Sequence, residues 1–348
     1  MAGREYLLQT TPLRLLKEFP YLKAFFAGQT IDLTTRNNVP LQQILLEMDE
    51  ESHEEKAFDT ENFLNQLQDF IAQMQSFLGQ DKNLVDYLTI LPGHDKNGNA
   101  ENFKQLIFKK STITSIVGPT GSGKSRLLAD IEWVAQGDTP TGRSVLVNGE
   151  KPSVDWRFAS GKKLVAQLSQ NMNFVMDLSV IEFLELHARS RMVANEQQII
   201  QRIIEAANDL AGEKFKADSP ITSLSGGQSR ALMIADTAML SSSPVVLIDE
   251  IENAGIDRKK ALQILIGEEK VVLMATHDPI LALMAHQRII IKNGGIYKVI
   301  KTSDEEKSML KELEESDRKL QQLRSRLRSG EMLTAIDQNN EKESLVSH

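Results

Sequence analysis

The chain has 348 residues, 41% of them hydrophobic and 25% charged, so it is long enough for two units and apolar enough to close a sizeable core. Its 48 acidic side chains outnumber 40 basic ones for a net charge of −8, which argues against nucleic acid as a partner, since binding phosphates needs a positive field. Cysteine is absent, which excludes disulfides, thiolate catalysis, cysteine-ligated zinc and iron–sulfur clusters held by this chain alone.

Residues 1–80 read as a small all-α domain. Leu13, Leu16, Phe19, Leu22 and Phe25 recur at helical intervals, with Pro20 breaking the run in two. Leu41, Ile44, Leu45 and Met48 start another helix after Pro40, and Asp49 to Glu55 form an acidic linker or helix end. Phe63, Leu64, Leu67, Phe70, Ile71 and Met74 make a third apolar stripe, whose plain reading is a packing face. Near residue 85 the pattern changes. Tyr87–Leu91, Gln105–Phe108 and Ser111–Val117 read as strands, and to about residue 300 strands alternate with helices as in a largely parallel α/β sheet. From 303 to 330 a charged helix carries Met309, Leu313, Leu320, Leu323 and Leu327 at heptad spacing, with Ser316 at the polar seam position. Residues 331–348 are polar and read as a disordered tail. No apolar run reaches membrane-spanning length and Met1 to Thr11 lack a signal pattern, so the expected location is cytoplasmic.

The stretch Gly118-Pro119-Thr120-Gly121-Ser122-Gly123-Lys124-Ser125 follows a strand and opens a helix over 124–135. Glycines let a backbone curl with its N–H groups inward around phosphate oxygens at a positive helix end. Lys124 then neutralises the β and γ phosphates, and the Ser125 hydroxyl ligates Mg²⁺. The apolar run Pro244 to Ile248 ends in Asp249-Glu250. As a parallel strand it sets Asp249 at the sheet's C-terminal edge beside the phosphate loop to hold Mg²⁺, with Glu250 polarising the attacking water.

Leu224-Ser225-Gly226-Gly227-Gln228, about a hundred residues after that loop, resembles the signature of ATP-binding-cassette (ABC) ATPases. The resemblance covers residues 85–300 and implies a P-loop cassette with a helical subdomain, using ATP and Mg²⁺. It implies a head-to-tail homodimer in which Ser225 to Gln228 meet the γ-phosphate held by the other subunit. Gln170 matches the glutamine of the Q-loop and a metal contact, with Gln167 as the alternative. His277 in Ala275-Thr276-His277-Asp278 matches the switch histidine, and Asp257 the D-loop aspartate. Ile251 replaces the usual proline, Glu252 to Asp257 runs one residue long, and Asp236 stands where transporter cassettes often carry arginine. No tyrosine occupies the adenine-stacking position, for which His94 is the substitute. Thr11 to Pro20, with Phe25-Phe26 and Ile31-Asp32, resembles the small helical domain of iron-centre repair and hybrid-cluster-associated proteins, although Leu33-Thr34-Thr35 stands where those often carry cysteines.

These features imply an ATPase. The main reading is a soluble one whose ATP-driven dimer closure works on a protein partner in metalloprotein assembly or activation, recruited by the N-terminal helices unless these only buttress the cassette. The alternative is the nucleotide-binding subunit of a transporter with separate membrane permease subunits, peripheral at the inner membrane. A DNA-repair ATPase is the third, opposed by charge and by the lack of zinc ligands and of a long inserted coiled coil.

Overall fold

The computed structural model describes residues 3–28, 36–51, 59–78, 85–152, 156–157, 163–169, 174–249 and 255–332. Five helices come first: α1 (Arg4–Gln9), α2 (Pro12–Glu18), α3 (Leu22–Gly28), α4 (Leu41–Glu51) and α5 (Thr60–Phe77). Thr11 caps α2, accepting a hydrogen bond from the Arg14 N–H, and Pro12 suits the first turn because its missing N–H costs no helical bond there. The buried stripe is Leu15, Phe19, Leu22 and Phe26, while Leu13 is exposed and Leu16 and Phe25 are only partly covered. The chain turns at Pro20, so a single helical period does not run across it. Leu41, Ile44, Leu45, Phe63, Leu64, Leu67 and Ile71 complete a core separate from those of the later strands. Ile31 to Thr35, and the acidic patch beyond Glu51, lie outside the described residues.

Two sheets follow. A three-stranded antiparallel sheet has the order β2-β1-β4, with β1 (Tyr87–Leu91) between β2 (Leu106–Lys109) and β4 (Ser144–Val147). The six-stranded sheet has the order β5-β6-β7-β3-β8-β9. Its members are β3 (Thr112–Val117), β5 (Val165–Leu168), β6 (Val245–Asp249), β7 (Val271–Ala275), β8 (Gln287–Lys292) and β9 (Gly295–Lys301). All neighbours pair in parallel except β8 and β9, which form a hairpin.

Period-two alternation gives the central strands two buried faces. Val245, Leu247, Val271 and Leu273 pack towards the small sheet and α6 (Lys124–Glu132), alongside Leu127, Leu128 and Ile131. Val246, Ile248, Val272 and Met274 pack on the other side against α9 (Gly226–Met239) and α10 (Arg258–Gly267). Each fully covered aliphatic side chain contributes about 1.5–3 kcal/mol, so this two-sided burial is what keeps the parallel strands in register. A helical layer of α7 (Val180–Ser190), α8 (Glu196–Leu210) and α9 closes on its own core around Leu184, Ile203 and Leu232. In that layer Asp236 is buried and meets His187 Nδ1 at 2.8 Å, a local role for the acid found in place of arginine.

α11 (Pro279–Met284) precedes the hairpin and α12 (Asp304–Arg328) follows it. No residue of α12 is buried, and Met309, Leu320, Leu323 and Leu327 of the heptad stripe are exposed. Residues from 333 on lie outside the description. No described helix is long and apolar enough to cross a membrane. The architecture is a mixed α/β P-loop cassette with a helical region before it and a helix after it.

Candidate active site

The C-terminal ends of β3, β7, β6 and β5 line one edge of the large sheet in that order. Parallel strands present ligands at this edge. The phosphate loop leaves β3; Thr276 and His277 leave β7; Asp249 ends β6. Gln167 lies in β5 and Gln170 follows that strand. One strand, β7, separates Asp249's strand from that of the loop, so His277 emerges between them. The exposed ring of His277 is followed by Asp278, which caps α11 by accepting from the N–H groups of Ile280 and Leu281. Glu250 and Gln170 fall outside the described residues.

Residues 118–125 make a tight loop for a physical reason. A Cβ on Gly118 would stand 2.6 Å from the Ile291 carbonyl oxygen, and one on Gly123 would stand 2.7 Å from Gly294 Cα. Gly123 also has φ 108°, a conformation that side chains resist, and it leads directly into α6. Pro119 accepts from the Ser122 N–H across the loop, with Thr120 and Gly121 forming the bend between. Lys124 Nζ lies 2.7 Å from the Gly118 oxygen and 3.3 Å from that of Pro119, so the ammonium sits over the loop. The Ser122 hydroxyl is buried with no hydrogen-bond partner among the described residues. Glycine close packing, a helix start, a cation and an unsatisfied hydroxyl fit a bound polyphosphate. Ser125, in the first turn of α6, and Asp249 offer the hard oxygen donors that Mg²⁺ selects.

Ser225 caps α9 through a reciprocal pair: its hydroxyl accepts from the Gln228 N–H, and the Gln228 side chain accepts from the Ser225 N–H at 2.8 Å. Ser225 and Gly226 are exposed, leaving the helix start open to solvent. A Cβ on Gly226 would meet nothing within 4 Å. Gly255 approaches Gly227 from the segment that ends in Asp257. Asp257 caps α10 by accepting from Lys260 N–H, and its own N–H reaches the Leu210 carbonyl. The next residue, Arg258, bonds both Asp278 and, at 2.9 Å, Asp317 of α12. The segments after Asp257 and His277 are therefore joined through one guanidinium to the C-terminal helix. His94 is exposed beside Gly142, its backbone N–H bonded to the Thr141 carbonyl at 2.7 Å.

One cluster escaped the sequence reading. Arg143 is wholly buried and bidentate to Glu101 at 2.6 and 3.0 Å, with a third arm to Asp130 at 2.9 Å and a bond to the Gly294 carbonyl at 3.0 Å. Glu101 also accepts from the N–H groups of Gly93 and Ile296. Burial opposes ionisation of Glu101, but the guanidinium and these two N–H donors outweigh it and hold the carboxyl below its ordinary range. Desolvation likewise opposes the charge on Arg143, and Glu101 and Asp130 reverse that effect. Arg143→Ala strands two buried carboxylates and is expected to cost about 3–5 kcal/mol in a denaturant titration. The sign of the pH effect follows from linkage. Between the lowered folded value and the unfolded value near about 4.3, the unfolded chain binds the extra proton. Stability from Glu101 is thus present above that value and is lost as pH falls through the folded one. Glu101→Gln should lower stability at neutral pH and flatten this acid limb, as read by thermal melts across pH.

Comparison with known proteins adds to this geometry. A family profile described as ABC transporter matches residues 103–253. An uncharacterized ABC transporter ATP-binding protein of Methanocaldococcus jannaschii is 52% identical over 253 residues, covering 73% of this chain and 97% of that protein. The thiamine import ATP-binding protein of Photobacterium profundum is 31% identical over 199 residues, covering 55% and 78% respectively. A solved ATP-binding subunit of an ABC transporter is similar at 17% identity and a TM-score of 0.49, covering 64% of this chain and 92% of its own.

Proposed function

This chain belongs to the ABC transporter family of ATPases, and from that premise we propose that it is a nucleotide-binding subunit whose ATP cycle drives membrane permease subunits. The observation that carries the reading is the sheet edge where the phosphate loop, His277 and Asp249 converge, with an exposed signature helix start on a separate helical layer. The names of the relatives support the transporter reading over metalloprotein assembly.

In this reading the N–H groups of residues 118–125 and Lys124 hold the β and γ phosphates of ATP. His94 stacks on adenine. Ser125, Asp249 and Gln170 hold Mg²⁺, which neutralises the phosphate oxygens. Glu250 orients a water whose oxygen bonds to the γ-phosphorus as the bond to the β–γ bridging oxygen breaks; its protons end on inorganic phosphate. His277 steadies the γ-phosphate. Ser225, Gly226, Gly227 and Gln228 supply the second anion cup from another copy, head to tail, a role supported by a helix start that is open to solvent. Asp257 stands at that same interface.

The surface for the permease begins after the Q-loop. Val175 is 92% exposed, and Met176 and Ile181 are exposed beside it. Apolar side chains in such a group mark a contact surface rather than a solvated face. The test is affinity purification of the full chain from detergent-solubilised native membranes, with Val175→Asp/Met176→Asp as the comparison. A polytopic membrane protein should accompany the wild type and be reduced at least about tenfold with the variant, the loss expected when charges enter an apolar contact. ATP turnover of the isolated variant should be retained. A partner recovered only from the soluble fraction would return the metalloprotein reading to first place. The helices of residues 3–78 serve as a docking module for this partner or as a buttress for the cassette, and repeating the purification with residues 85–348 separates the two.

A further inference from the structure

Two short turns far apart in sequence meet on the outer side of the phosphate loop. Asp95 organises the first, its carboxylate accepting from the N–H groups of Asn97 and Asn99 and from the Asn99 amide. The second is the Asn293-Gly294 turn between β8 and β9. The Lys96 N–H bonds the Asn293 carbonyl at 2.9 Å, and the Asn293 amide reaches the Asp95 carboxylate. Gly294 has φ 82°, and a Cβ there would stand 2.7 Å from Lys96 Cγ. Both turns then grip the loop. Lys96 Nζ donates to the Gly121 carbonyl at 2.9 Å, and the Gly294 N–H donates to the Ser122 carbonyl at 2.6 Å. Behind them, buried Arg143 holds the Gly294 carbonyl.

The direction of these bonds matters. In a planar trans peptide the C=O and the following N–H point opposite ways, and no peptide among the described residues is cis. Holding the Gly121 carbonyl outward turns the Ser122 N–H inward, where it bonds Pro119 across the loop. Holding the Ser122 carbonyl outward likewise turns the Gly123 N–H away from the hairpin and into the loop. We infer that Lys96 and Gly294 are positioning residues for nucleotide binding, an external strut in which Lys96 fixes the Pro119–Ser122 turn, Gly294 aims the Gly123 N–H into the loop, and the Arg143–Glu101 ion pair anchors Gly294. The inference rests on the reading of residues 118–125 as the nucleotide site.

The experiment is calorimetric titration of the full chain with Mg·ADP and Mg·ATP, alongside steady-state ATP turnover. Lys96 is exposed, so Lys96→Ala is not expected to disturb the fold. It should weaken both nucleotides by about five- to tenfold, as loss of one solvent-exposed hydrogen bond implies. It should raise KM by the same factor with kcat unchanged, and Lys96→Arg should restore binding. Gly294→Ala should weaken binding further while a thermal melt shows a folded protein. If it does not fold, Lys96→Ala alone decides. Affinity of Lys96→Ala within about threefold of wild type, or a fall in kcat at constant KM, overturns the strut, since a difference of under about 0.7 kcal/mol is too small for such a contact. Lys124→Ala is the control: if it too binds like wild type, the nucleotide-site reading has failed, whereas if it alone loses binding, only the strut has failed.

Discussion

Replacing Lys124 with Ala is expected to abolish measurable Mg·ATP binding and to reduce turnover at least about a hundredfold, the scale seen when a pre-aimed electrostatic donor leaves a phosphoryl-transfer site. The reason lies in the loop's construction. The Lys124 ammonium already sits 2.7 Å from the Gly118 oxygen and 3.3 Å from that of Pro119, so loop carbonyls hold the charge at the loop before phosphates arrive. Alanine removes the loop's own cation from beside the anion and leaves the loop only its backbone N–H groups. Fold should be retained, because the glycine packing at Gly118 and Gly123 involves no atom of the lysine side chain. Equal nucleotide affinity in wild type and variant, measured by calorimetry, would sink the assignment of residues 118–125.

Glu250→Gln separates binding from chemistry. The amide keeps the size of the carboxylate and loses its capacity to polarise water, so turnover should fall by about 10²–10⁴-fold, as for loss of a general base. ATP affinity should stay near wild type. With hydrolysis blocked, the ATP-bound state accumulates, and light scattering should report twice the monomer mass in ATP and not in ADP. The exposed leucine stripe of α12 complicates the reading, because a helix with Leu320, Leu323 and Leu327 uncovered can pair by itself. A chain ending before Asp304 is therefore measured first. If the shortened variant stays monomeric across high concentrations of protein and ATP, the head-to-tail arrangement of Ser225 against the partner's loop is wrong.

Much of this site is local in sequence, and local features survive translation into structure. The glycines of 118–123 supply the φ angles of a tight turn within a few residues of Lys124, so their spacing identifies the loop, although the close contacts that Gly118 and Gly123 make are to Ile291 and Gly294, far along the chain. The capping pair of Ser225 and Gln228 is a three-residue relation on one helix. The apolar runs at 245–248 and 271–274 are uninterrupted because their strands are buried on both faces, which is why they read as central parallel strands. The N-terminal stripe was less legible: two helices meet at Pro20, and Leu15 and Phe26 are buried where a continuous period selects Leu13 and Phe25.

Other features belong to the tertiary structure alone. Nothing in the chain order announces that β7 inserts between β3 and β6, because strand order in a sheet depends on which crossovers pack, not on succession along the chain. Glu101, Asp130 and Arg143 each resemble an ordinary surface charge, since charged residues are almost always solvated unless paired. Lys96 and Gly294 are separated by about two hundred residues, in two turns whose local chemistry is unremarkable. By itself the sequence determined that this protein is a phosphate-loop ATPase of the cassette type, because short-range backbone and capping geometry encode that chemistry. Which charges are buried, and which turns brace the loop, was decided only when the β8–β9 hairpin and the β1–β2 connection met each other and the phosphate loop, a relation of long-range packing that no local pattern carries.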